Sequence, residues 1–289
     1  MRELLIVGGK GGTGKTTIAA CIASMEPFKV MADADVDAAD LFIMLEPEII
    51  VRREFKSGRV ASIRHELCTR CGQCAQACRF EAISDEMEVQ AVDCEGCGVC
   101  AQVCPTEAIS FLERVSGEWY LSRTRLGPFV HARLRPGEEN SGKLVALVRH
   151  QARVVAEEQN LPWLIVDGPP GIGCPVISAM AGAAAALMVT EPTPSGLHDL
   201  RRVAELASHF RVARAVCVNK WDVNPKLTDE IERFCGDNEI PLVGKIPYDV
   251  VVTEALVARK VLVEWAPRSR VAKEIEALWE TLRPLIPQV

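Results

Sequence analysis

Leu4-Leu5-Ile6-Val7-Gly8-Gly9-Lys10-Gly11-Gly12-Thr13-Gly14-Lys15-Thr16-Thr17 reads as a buried strand, a glycine loop and the opening of a helix. Gly9, Gly14, Lys15 and Thr16 fit the spacing G-x-x-x-x-G-K-[ST]. Glycines let backbone N–H groups turn inward on phosphate oxygens, and a helix N-terminus adds partial positive charge. In such a loop Lys15 reaches the β- and γ-phosphates of a nucleotide and the Thr16 hydroxyl can ligate Mg²⁺. Gly9, Lys10, Gly11, Gly12, Thr13, Gly14 and Thr17 complete the nucleotide cradle.

A second lysine directly after the first glycine, Lys10, resembles the deviant loop of the MinD/ParA/Mrp/nitrogenase-iron-protein group of ATPases. In that group this lysine reaches across a dimer interface to the partner's nucleotide. The resemblance therefore implies a nucleotide-sandwich dimer in which Lys10 and Lys15 are both catalytic.

Downstream of the first helix, residues 15–25, the run Phe28-Lys29-Val30-Met31-Ala32 predicts the second strand. It ends in Asp33-Ala34-Asp35-Val36-Asp37, carboxylates at the sheet edge where open α/β folds bind ligands. The resemblance makes this segment switch I. Asp35 then orients the attacking water, with Asp33 and Asp37 near Mg²⁺.

Around residue 55 the α/β rhythm breaks. Cys68, Cys71, Cys74 and Cys78 form one C-x₂-C-x₂-C-x₃-C run, and Cys94, Cys97, Cys100 and Cys104 repeat it 26 residues on. Two such runs are the signature of a two-cluster bacterial-type ferredoxin. Three closely spaced cysteines grip one cube, and the last cysteine of each run serves the other cluster. Cys68, Cys71, Cys74 and Cys104 are thus expected on one [4Fe–4S] cluster, and Cys94, Cys97, Cys100 and Cys78 on the second. Zinc competes poorly, because paired C-x₂-C sites leave a third cysteine two residues on unexplained. Arg79 stands where the ferredoxin pattern has proline, whereas Pro105 is present in the second run. So small a module has little core of its own, so its folding should need the clusters.

Beyond the insert, 119–122 and 129–132 read as short strands and 138–142 as a turn, with Ser141 capping a helix to Gln159. Leu164-Ile165-Val166 is a buried strand ending in Asp167-Gly168-Pro169-Pro170-Gly171. This matches the Walker-B and switch II element of the resembled group, with Asp167 holding Mg²⁺ and Gly171 sensing the γ-phosphate. A helix over 175–184, a strand over 186–190 and Glu191-Pro-Thr-Pro-Ser-Gly196 leading into His198-Asp199 follow. The strand 216–218 ends in Asn219-Lys220-Trp221-Asp222. In the resembled ATPases an Asn here reads adenine, which places Asn219 and Lys220 at the base. The same tetrad fits the N-K-x-D by which small GTPases read guanine, so GTP stays an alternative to ATP. A last strand spans 242–247. The amphipathic helix 269–282 mixes acids with bases and ends near Pro284, so packing on the sheet is expected rather than membrane binding.

Composition sets outer bounds. The 289 residues allow one large α/β domain plus a small module, and the formal charge of −6 argues against a nucleic-acid binder. Twelve cysteines without a signal peptide or membrane span point to a cytoplasmic chain using metal or redox chemistry. Cys21, Cys217 and Cys235 read as core residues; Cys174 follows switch II, where the nitrogenase iron protein carries a cluster ligand.

As a whole the chain resembles MinD-superfamily P-loop ATPases with an inserted ferredoxin domain. The fold implied is α/β: a doubly wound, mostly parallel P-loop NTPase sheet over residues 1–55 and 115–289. A small α+β bacterial-type ferredoxin module is inserted at 60–112. The expected ligands are ATP or ADP, Mg²⁺ and two [4Fe–4S] clusters. The expected function is a slow or partner-stimulated ATPase whose dimer switch is coupled to electron transfer. Its partners are a second copy or a paralogue and a redox protein, with neither nucleic acid nor membrane. The alternatives are an iron–sulfur carrier or maturation factor and a redox-sensing switch.

Overall fold

The computed structural model describes residues 1–138 and 141–288. Its strands are β1 (Arg2–Gly8), β2 (Lys29–Asp33), β3 (Glu48–Ile63), β4 (Ile109–Thr124), β5 (Gly127–Leu134), β6 (Trp163–Pro170), β7 (Ala185–Thr190), β8 (Ala213–Asn219) and β9 (Leu242–Ile246). Their order is β3-β4-β5-β2-β6-β1-β7-β8-β9. From β5 to β9 the neighbouring strands run parallel. Parallel strands need crossovers, mostly helical here, that cover both faces, so β1, β2 and β7 are apolar and almost wholly buried.

The chain divides into two compact units. The first comprises 1–53, 119–133 and 141–289; the second comprises 54–118 and 134–140. The expected short strand at 119–122 is the end of the sixteen-residue β4. A two-residue turn at 125–126 joins β4 to β5, and so short a link allows only antiparallel pairing. The helix expected over 175–184 ends earlier, spanning Cys174–Met180, because Gly182 adopts a left-handed φ of 72° just beyond it. Of the turn expected at 138–142, residues 139 and 140 lie outside the described residues; the helix that follows spans Ser141–Glu158.

The first unit's core is built on Leu4, Ile6, Ile18, Ile22, Met31 and Phe129, with Cys21 and Cys217 among them. The C-terminal helix Arg270–Leu282 is capped by Ser269, whose hydroxyl accepts from the Ala272 N–H at 3.2 Å. Its apolar stripe of Val271, Ile275, Leu278 and Leu282 is buried. Leu278 fills the space over Gly244 of β9, where a Cβ would meet it at 2.8 Å. This stripe is therefore spent on the sheet. Among the described residues no helix is long and apolar enough to cross a membrane.

The second unit holds the helices Gln73–Ala77 and Val99–Gln102 and an isolated bridge between Ile83 and Val89. Its core is small: Ala61, Ala82, Ile83, Met87 and Ile109 pack around Cys74, Cys94 and Cys100.

Candidate functional site

β1 delivers the chain into the glycine loop, and the helix Lys15–Met25 starts directly behind it. Gly14 sits at φ 92°, and a Cβ there would lie 2.4 Å from the Asn219 amide nitrogen. Only glycine meets both demands. The approach lets Asn219, at the end of β8, donate to the Thr13 carbonyl at 2.9 Å and tie the loop down. Lys220 adds a bond to the Gly12 carbonyl at 3.2 Å.

The loop borders a cavity of about 670 Å³. Gly11, Gly12, Gly14, Lys15, Thr16 and Thr17 line one side, with Asp35, Pro170, Asn219 and Lys220. Tyr248 and Asp249 and the apolar Ile43, Met44, Val252 and Leu256 line the rest. Gly9 lies elsewhere, against Asp199, and Gly171 donates its N–H to the Gly8 carbonyl at 3.0 Å. The cavity size suits a nucleotide.

Parallel pairing of β2 with β6 sets Asp33 opposite Asp167. Both are almost fully buried. Asp33 accepts from the Asp35 and Leu41 N–H groups, each at 3.1 Å, so it braces the loop after β2. Burial, reinforced by the charge of Asp167, raises its pKa well above the usual carboxylate range. Asp35 lines the cavity, with its pKa raised by burial against the pull of Lys15. Asp37 is exposed, and Asp40 lines the cavity instead.

Asp167 is hydrogen-bonded by the Thr16 side chain, yet its Oδ1 is buried without a partner. Burial pushes its pKa up to about 7, with Thr16 and Lys15 holding it back. A buried, unpartnered carboxylate oxygen beside a threonine hydroxyl and two further aspartates is a donor set that suits Mg²⁺. An unfolded aspartate titrates near pH 4, so between about pH 4 and 7 the folded chain binds the extra proton. Stability then falls as pH rises through that window. Asp167→Asn should remove the loss, so at pH 8 the nucleotide-free variant melts above the wild type. It should also forfeit the stabilisation that Mg²⁺ with nucleotide gives. Thermal melts at pH 5 and pH 8, with and without ligand, check both.

Lys15 is buried, which lowers its pKa against the opposing pull of Asp167 and Asp35, and donates to the Lys10 carbonyl at 3.2 Å. Lys10 itself is not among the residues that line the cavity. Its ammonium lies 2.5 Å from Glu191 Oε1, with Thr193 and Ser195 at 3.3 and 3.4 Å. Glu191 also pairs with Lys220 at 3.2 Å. Burial resists ionisation of Glu191, but the two lysines outweigh it and hold its pKa low. Sequence reasoning assigned Glu191 no part in the site. Glu191 opens the Glu191-Pro-Thr-Pro-Ser-Gly196 stretch of the resemblance, and its role comes from the two cations the fold brings to it. Asp222 is likewise engaged, accepting the Tyr248 N–H at 2.7 Å.

The second unit gathers its cysteines into two small cavities. Cys68, Cys71, Cys74 and Cys104 line one, with Ile63 and Ile109. Cys94, Cys97, Cys100 and Cys78 line the other, with Ala61 and Phe111. Each cavity takes three cysteines from one run and the last from the other. The Ala61 N–H points at Cys94 Sγ at 3.5 Å and the Ala108 N–H at Cys104 Sγ at 3.3 Å. Four thiols around each cavity, with backbone donors aimed at sulfur, are a donor set that suits a cubane cluster. Among the described residues no three His, Cys, Asp or Glu side chains converge on one point, as they would around a mononuclear zinc. Cys174 is exposed at the start of its helix.

The profile of the CobQ/CobB/MinD/ParA nucleotide-binding domain matches residues 4–262. An uncharacterized protein of Methanocaldococcus jannaschii is 34% identical over 288 residues, covering 98% of this chain and 97% of its own. A cytosolic Fe–S cluster assembly factor, the Nubp1 homolog of Drosophila grimshawi, is 31% identical over 119 residues, 33% of this chain and 38% of its own. The septum site-determining protein MinD of Pyrococcus horikoshii, solved with Mg-ADP, superposes with a TM-score of 0.61 at 18% identity, covering 98% of this chain and 96% of its own.

Proposed function

The chain belongs to the CobQ/CobB/MinD/ParA family of P-loop nucleotide-binding domains, and from that footing we propose that it is an ATPase whose nucleotide-driven dimer switch governs two [4Fe–4S] clusters. The observation that carries the reading is the pairing, in one chain, of a phosphate-loop cavity with two four-cysteine cavities.

In this account Thr16 and Asp167 hold Mg²⁺, with Asp33 bracing the loop beside them. Lys15 offsets the charge that develops on the transferred phosphoryl group, and Asp35 orients the attacking water. Lys10 leaves Glu191 to reach the nucleotide of a second subunit, a copy of this chain or a paralogue. ATP is favoured over GTP because the resembled ATPases read adenine with an Asn at this strand end, and Asn219 and Lys220 line the cavity whereas Asp222 is not among its lining residues. Residues 60–112 form the ferredoxin-like module. Cys68, Cys71, Cys74 and Cys104 hold one cluster, and Cys94, Cys97, Cys100 and Cys78 the other. When bound, each cluster stores one electron for delivery to a redox partner.

Coupling rests on covalent layout: the module lies between Asp35 and Asp167, the two switch aspartates. Adding MgATP to the anaerobic, dithionite-reduced protein should change the electron paramagnetic resonance spectrum or midpoint potentials of the clusters. Spectra and titrations that are identical with and without MgATP would remove the coupling.

A second reading, assembly or carriage of clusters, is favoured by the partial likeness to the Nubp1 homolog. It predicts transfer of ⁵⁷Fe-labelled cluster to an apo-acceptor.

A further inference from the structure

The two cysteine cavities are related by the 26-residue repeat, but the polypeptide around them is not. In the first loop the residue between Cys68 and Cys71 that adopts a left-handed φ is Arg70, at 54°. Its counterpart in the second loop is Gly96, at 60°. A Cβ on Gly96 would stand 2.2 Å from the Arg59 carbonyl oxygen. The second loop therefore lies against β3 in a way that a side chain at this position would prevent, and Arg70, exposed, makes no such approach in the first.

Alternation along β3 puts residues 59, 61 and 63 on one face. Ile63 lines the first cavity and Ala61 the second. Arg59 is next in that row and ends on the second loop. Its Nε donates to the Gly96 carbonyl at 2.9 Å, and Nη2 comes within 3.4 Å of where a Gly98 Cβ would be. Its guanidinium also stacks over Phe111, a wall of the second cavity, at 4.5 Å from the ring centroid. Among the described residues it has no ion-pair partner. Arg114 also reaches this loop, donating to the Cys94 carbonyl at 3.1 Å, but Glu138 at 2.7 Å offsets its charge. Beside the first cavity, Arg64 donates to the Glu107 carbonyl from an exposed position.

We propose that Arg59 is a positioning residue that raises the reduction potential of the cluster held by Cys94, Cys97, Cys100 and Cys78. The inference rests on the two-cluster reading above. Reduction adds one negative charge to a cluster, and net charge and hydrogen bonding around it set its potential. A cation held against the second loop by the Gly96 carbonyl favours the reduced form of that cluster, opposing the charge of Glu95 in the same loop.

The experiment is an anaerobic potentiometric titration of the full chain, followed by electron paramagnetic resonance, for wild type, Arg59→Gln, Arg59→Lys and Arg70→Gln. The wild type should titrate in two waves. Arg59→Gln should lower the reduction equilibrium of one wave about fivefold, which at 59 mV per decade for one electron is about 40 mV, and leave the other in place. Arg59→Lys, which keeps the charge, should restore most of the shift even if the Gln variant loads poorly. Arg70→Gln should leave that same wave unmoved. Both waves unmoved in Arg59→Gln, or the same wave moved equally by Arg70→Gln, would overturn the assignment to Arg59. A wild type with no cubane signal overturns instead the reading on which it rests.

Discussion

Lys15→Ala is expected to weaken MgATP binding by about a hundredfold and to abolish hydrolysis. Each charge-assisted hydrogen bond to a phosphate oxygen contributes roughly 1.5–3 kcal/mol, and 2.7 kcal/mol is a factor of about one hundred. The geometry adds a reason for the size of the effect. Lys15 is buried and sits among Asp35 and Asp167, whereas Lys220, the other lysine lining the cavity, is paired with Glu191. The fold should survive, since removing a buried amine whose charge burial disfavours costs little. Nucleotide titration by calorimetry and a melting curve separate the two effects. Binding near wild-type strength would show that the cavity behind the glycine loop is not a phosphate site. Lys10→Ala should behave differently. Lys10 pairs with Glu191 rather than lining the cavity, so its loss should spare binding by one chain and reduce hydrolysis and dimer formation.

Replacing the last cysteine of either run is expected to remove the cluster of the other run. Cys104→Ser should cost the cluster gripped by Cys68, Cys71 and Cys74, although Cys104 lies 30 residues beyond Cys74. Cys78→Ser should cost the one gripped by Cys94, Cys97 and Cys100. In each case iron and acid-labile sulfide should fall by half, with one wave of a redox titration lost and the other kept. If Cys104→Ser emptied the site of its own run instead, the crossed ligation would be wrong. The two cavities make the crossed result the physical expectation, because each is walled by three cysteines of one run and the fourth of the other.

Much of this was open to reading in the sequence, and the reasons differ by element. The glycine loop could be read because phosphate binding constrains backbone and side chain together, leaving Gly14, Lys15 and Thr16 at fixed offsets. The parallel sheet could be read because strands buried on both faces are continuous apolar runs, as in Leu4-Leu5-Ile6-Val7. The C-terminal helix could be read from the spacing of Val271, Ile275, Leu278 and Leu282. What stayed hidden was decided by tertiary contact. Glu191 gains its meaning only when β7 and β8 bring it between Lys10 and Lys220. Asp40 replaces Asp37 at the cavity because the Asp33 carboxylate folds the intervening loop back through the Leu41 N–H. Asp222 fits a guanine-reading motif in sequence, yet it is not among the residues that line the cavity. β4 looked like a short strand because polar residues interrupt its first half, where one side is open to solvent.

The central claim is that a nucleotide switch and a pair of iron–sulfur cubes share this one chain. Mössbauer spectroscopy of the anaerobically purified, ⁵⁷Fe-enriched protein, read with its metal content, tests that most directly. The account predicts two four-iron cubanes per chain and negligible zinc. Zinc in the cysteine sites, or iron in mononuclear form only, would contradict it.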